Sequence, residues 1–119
     1  MNILVVVESV DIGTKLIQEC RVWASALPLR ETCRWRSSDA LRFWVRDSVI
    51  QCTTPRAIGD RLRGTVWDIA YVCAIRNAGT VVDQLAWLMT GNRSQAIVMR
   101  HFPEVKELCA GLAATEGLE

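Results

Sequence analysis

The chain has 119 residues, half of them hydrophobic and 23% charged, with a net charge of +1. That composition points to one globular domain spanning 1–119 with a single core. No apolar run approaches the ~20 residues of a membrane helix, and the start Met1-Asn2-Ile3-Leu4-Val5-Val6-Val7-Glu8 lacks the basic n-region of a signal peptide, so a cytoplasmic protein without a membrane partner is expected.

Residues 2–7 are a continuous, β-branched apolar run, which predicts a buried strand. Asp11 is placed to cap a following helix. Ile12, Leu16, Ile17, Cys20, Trp23, Ala24 and Leu27 recur at helical spacing until Pro28 stops the pattern. Residues 29–38 are Arg-rich and aperiodic, a loop or a short exposed strand. Leu41, Phe43 and Val45 then alternate with polar or mixed neighbours. A turn near Arg46-Asp47 leads into Val49-Ile50-Gln51-Cys52-Thr53, and the two segments predict a hairpin ended by Thr54-Pro55.

Residues 56–64 form a loop or a single helical turn. Val66 to Ala74 is apolar except for Asp68 and predicts a central strand covered on both faces. Thr80 and Asp83 resemble a capping box. Val81, Val82, Leu85, Ala86, Leu88 and Met89 form the apolar stripe of a second helix, and Gly91 stops it. Gln95 to Met99 predicts another buried strand, and Pro103 opens a last helix over roughly 103–114. The order β-α-β-β-β-α-β-α predicts a three-layer α/β sandwich with a mostly parallel central sheet, one antiparallel hairpin and about three helices.

Five cysteines, Cys20, Cys33, Cys52, Cys73 and Cys109, are an odd number without a close pair. They fit neither a disulfide framework nor a zinc ribbon, and free thiols packed as small hydrophobes are expected. Charge is unevenly spread. Residues 1–64 carry ten Lys/Arg against seven Asp/Glu, and residues 65–119 carry four against six. Twelve of the fourteen basic residues are Arg, the side chain that grips phosphate or carboxylate with a planar fork.

The segment Arg61-Leu62-Arg63-Gly64-Thr65-Val66-Trp67-Asp68-Ile69-Ala70-Tyr71-Val72-Cys73-Ala74 resembles the one that delivers the acidic metal-site pair in phage terminase large subunits and helicase-like, RecA-like P-loop ATPases. In that family an Arg-Gly is followed four residues on by Asp, then by an apolar strand, then by Asp-Glu. Residues 3–27 look like the preceding strand–helix unit, residues 40–53 like its hairpin, and residues 80–99 like the helix and strand that follow. The family's catalytic residues do not carry over. Cys73 and Ala74 stand where the acidic pair belongs, Arg100-His101-Phe102 replaces the coupling motif, and no G-x-x-x-x-G-K-[ST] loop exists. A neutral thiol and an alanine cannot order magnesium. The resemblance thus implies a degenerate scaffold with no catalytic residues, no metal and no cofactor, of phage or prophage type.

What the scaffold binds is expected to follow its Arg and Trp residues. Arg34, Trp35, Arg36 and Arg42, then Arg56, Arg61 and Arg63, are the candidate binding residues, with Arg30, Trp44 and Arg46 among them. Arginines contact phosphates and tryptophans stack on bases. The same two residue types dominate protein–protein hot spots. The partner is therefore nucleic acid or another protein, and a homo-oligomer is compatible with the same surface. Two alternatives use the residues differently. In one, a nuclease or nucleotide-dependent enzyme completed by another chain would use Glu8, Asp60 and Asp68 as acids, with Arg61 or Arg63 stabilising charge. In the other, the chain is a structural virion or oligomer component.

Overall fold

The computed structural model describes residues 1–25, 33–34, 41–45, 47–59, 62, 65–91 and 94–115. Its elements follow in the order β1 (Asn2–Val6), α1 (Val10–Ser25), β2 (Cys33–Arg34), β3 (Arg42–Val45), β4 (Ser48–Thr53), a 3-10 turn (Pro55–Ala57), β5 (Ile69–Cys73), α2 (Ala78–Leu85), β6 (Gln95–Met99) and α3 (Val105–Thr115).

Six strands form one sheet in the order β2-β3-β4-β1-β5-β6. The β1–β4, β1–β5 and β5–β6 pairs are parallel, while β3–β4 and β2–β3 are antiparallel. The expected hairpin is the β3–β4 pair. The two-residue β2 adds a second antiparallel pair outside it.

β1 is the central strand, and Ile3 to Val7 are buried along it, as its unbroken apolar run requires of a strand with elements on both faces. On one face α1 and α3 bring Leu16, Ile17, Leu108 and Leu112 onto Ile3, Val5, Phe43, Val45 and Ile50. On the other, Val81 and Leu85 of α2 join Leu62 and Trp67 over Leu4, Val6, Ala70 and Val72. The result is a helix–sheet–helix sandwich with a core on each side of the sheet.

Four boundaries differ from the expected ones. Ser9, not Asp11, caps α1: its Oγ accepts the Ile12 N–H at 3.4 Å, and the helix begins at Val10. The strand expected from Val66 starts only at Ile69, because Trp67 turns inward to donate from Nε1 to the Leu62 carbonyl at 3.2 Å. Val66 is left 52% exposed. α2 begins two residues before Thr80, and Asn77 at its N-cap makes no side-chain capping bond. α3 likewise starts at Val105, with the Leu108 N–H donating to the Glu104 carbonyl and Pro103 just outside.

Candidate nucleic-acid interface

Alternation along β3 sorts its side chains between the faces of the sheet. Phe43 and Val45 are fully buried beneath α1. Arg42 and Trp44 therefore project to the opposite face, where they stay half-buried. The antiparallel register sets Arg42 beside Gln51 and Trp44 beside Val49, and on its other side Trp44 pairs with Arg34 of β2. Arg42 Nε donates to Gln51 Oε1 at 3.1 Å, which ties the guanidinium to the neighbouring strand β4.

Arg42, Trp44, Val49 and Gln51, together with Asn2, Thr65, Val66 and Trp67, line an open groove of about 530 Å³. Its lining mixes aromatic and aliphatic side chains with polar ones. The Trp44 indole Nε1–H is buried and has no acceptor among the described residues. A buried donor left unpaired carries a desolvation cost that a ligand acceptor would relieve. The groove thus combines a cation, a carboxamide and an aromatic side chain whose buried donor lacks an acceptor among the described residues.

The other sequence-derived site residues fall elsewhere. Arg56 is exposed in the 3-10 turn beyond the carboxyl end of β4. Trp35, Arg36, Arg61 and Arg63 lie outside the described residues, as do Arg30, Arg46 and Asp60. Gln51 and Asn2 were missed by the sequence reading. Their signal was the strand register, which no single-chain pattern displays.

At the carboxyl ends of the strands, the chain leaves β1 for α1 on one face and β5 for α2 on the other. Strands whose connections part in this way open a crevice between them. Here Glu8, Pro55, Ile75, Arg76, Asn77 and Thr80 are among the residues lining one of about 380 Å³. Cys73 ends β5 buried on the α1/α3 face, and burial pushes its thiol up to about 11. The next residue, Ala74, is exposed and has a φ of 52°, a left-handed conformation unusual for alanine. Its N–H donates to the Met99 carbonyl at 2.9 Å, which holds the turn against β6.

Two of the acids named for an enzymatic site do not converge. Asp68 sits at the amino end of β5, where its Oδ2 accepts the Asn2 N–H at 2.7 Å. Glu8 follows the opposite end of β1. Six residues of extended chain between Asn2 and Glu8 span roughly 20 Å, whereas two catalytic metals sit about 4 Å apart.

No family model, curated protein or solved structure matches the chain. Among the described residues, no helix is long and apolar enough to cross a membrane, and no three His, Cys, Asp or Glu residues gather as a metal site.

Proposed function

We propose that the protein is a non-catalytic nucleic-acid-binding module of phage or prophage type, built on a terminase- or helicase-like ATPase scaffold. The observation that carries the binding reading is Trp44 beside Arg42 in the groove along β3, its buried indole donor unpaired among the described residues. An unstacked base can lie on the indole while Arg42 and Gln51 meet phosphate and base edge. Base–aromatic stacking contributes about 1–3 kcal/mol per base. Such a surface favours single-stranded over duplex nucleic acid, because bases locked in a helix offer no free face.

The scaffold reading is supported by the order of elements and by Cys73 and Ala74 at the carboxyl end of β5, where the resemblance puts an acidic pair. The separation of Glu8 from Asp68 counts against the acid set of the enzymatic alternative. The proposal sets the protein in the cytoplasm, the host's if it is viral, where unpaired thiols such as Cys20 and Cys109 stay reduced.

The test is a fluorescence-anisotropy titration with a labelled single-stranded oligonucleotide, made at two salt concentrations. Binding is expected at about 50 mM salt and should weaken steeply by about 200 mM, as phosphate contacts require. No binding at the lower salt would sink the proposal.

A further inference from the structure

The edge strand β6 stands at the opposite side of the sheet from β3, and its outer edge has no partner among the described residues. Its backbone polarity can be read from two hydrogen bonds. The Gln95 N–H donates to the Asp68 carbonyl, and the Met99 carbonyl accepts from the Ala74 N–H. Gln95, Ile97 and Met99 therefore point their polar groups toward β5. Ala96 and Val98 point theirs outward, a row of two N–H and two C=O groups. Natural edges are commonly blunted by charges, proline or bulges. The strand Gln-Ala-Ile-Val-Met has neither charge nor proline, and Val98 is 57% exposed.

Beside this edge, between α3 and the sheet, runs a groove of about 440 Å³. Tyr71, Met99 and Phe102 give it an apolar lining, and Phe102 is 44% exposed. Glu104 and Glu107, exposed and one helical turn apart, add two carboxylates. Among the described residues no Lys or Arg lines the groove, and the terminal ammonium of Met1, a lining residue, donates to Ser48 Oγ at 2.8 Å.

We infer that β6 and this groove receive an extended segment of a protein partner by strand addition, and that the segment carries apolar residues flanked by Lys or Arg. Main-chain bonds to Ala96 and Val98 supply the pairing. Side chains on the α3 side of the added strand enter the groove beside Tyr71 and Met99. The paired carboxylates choose the charge. A second copy of this chain would bring Arg93 and Arg100 on either side of its own β6, and such a dimer is the outcome the test below sets against a separate partner. This surface is separate from the Arg42–Trp44 groove, so either can fail without the other.

The test uses two capped synthetic peptides, Lys-Val-Thr-Val-Thr-Lys and its counterpart with Glu in place of Lys, titrated into the isotope-labelled full chain. The Lys peptide should bind at least tenfold more tightly and shift the amides of Ala96, Ile97 and Val98. Val98→Pro removes an outward N–H from an edge position that tolerates proline, and should abolish binding. Should that variant not fold, the surface pair Glu104→Lys/Glu107→Lys serves instead and should invert the preference between the peptides. Equal binding of both peptides, or no binding of either, would overturn the inference. So would a concentration-dependent dimer that protects the Ala96 and Val98 amides without peptide.

Discussion

The backbone N–H of Asn2 donates to Oδ2 of Asp68 at 2.7 Å, joining the amino ends of β1 and β5 across sixty-six positions of sequence. Asn2 returns the tie, with its side-chain amide donating to the Val66 carbonyl at 3.0 Å and its own carbonyl accepting the Asp68 N–H at 2.9 Å. Asp68 is thus a structural acid that sets the β1–β5 register. Asp68→Ala leaves a strand N–H without its charged acceptor and should cost about 1–3 kcal/mol in urea unfolding, with oligonucleotide affinity unchanged in the folded fraction.

Two tryptophans near the groove should separate stability from binding. Trp67 is 1% exposed, and its Nε1–H is satisfied by the Leu62 carbonyl. Trp67→Ala should cost about 3–5 kcal/mol. Trp44 is half-buried with an unsatisfied donor, so Trp44→Ala should cost less in denaturant titration while removing most of the oligonucleotide affinity.

Much of the fold was legible because the strands carry their environment in their spelling. The unbroken run in β1 announced a strand covered on both faces, and the alternation of Phe43 and Val45 with Arg42 and Trp44 announced a half-covered one. The start of β5 was not legible, since Trp67 leaves the strand pattern to reach a carbonyl five residues back. The α1 cap was misplaced because Ser9 and Asp11 both suit the position and only backbone geometry decides between them. Of the seven binding residues named from sequence, Arg42 lines the groove and Arg34 pairs in register with its tryptophan. The β6 edge was hidden for a different reason: a run such as Gln95 to Met99 looks the same whether it has one neighbouring strand or two.

Glycine 13 brings α1 down onto the sheet. A Cβ there would lie 3.0 Å from Cys52 Cβ and 3.1 Å from Leu41 Cδ2. Alanine normally gains up to about 1 kcal/mol over glycine in a helix, but crowding against a packed strand costs about 1–3 kcal/mol. Gly13→Ala should therefore destabilise the protein. Gly111→Ala in α3, where a Cβ would meet nothing within 4 Å, should stabilise it by about 0.5–1 kcal/mol. Chemical denaturation of the two variants reads the opposite signs directly.

Cys20, Cys52, Cys73 and Cys109 are free and buried in the core beneath α1 and α3. Burial, reinforced by the neighbouring Cys73 thiol, pushes Cys52 up to about 12. A hydrogen bond with Cys20, together with burial, pushes Cys109 up as well. Cys52, Cys73 and Cys109 therefore stay protonated in the folded chain but ionise near 9 once unfolded. Above that pH the unfolded state binds fewer protons, so stability falls as pH rises from about 9 toward 11–12. Denaturant midpoints should drop between about pH 8 and about pH 10, and Cys52→Val should shrink the drop. At neutral pH the four thiols should react with a thiol reagent only at the rate of unfolding.

The central claim is that the unpaired indole donor of Trp44 is a ligand contact. The direct measurement follows the tryptophan indole N–H signals by nuclear magnetic resonance during titration with a single-stranded oligonucleotide, the Trp44 signal being assigned by its loss in Trp44→Phe. A large, saturable shift of that signal, accompanied by the Arg42 Nε–H and the Gln51 side-chain amide, is the predicted result. A Trp44 signal that stays in place while the oligonucleotide binds, or an oligonucleotide that does not bind at low salt, would contradict it.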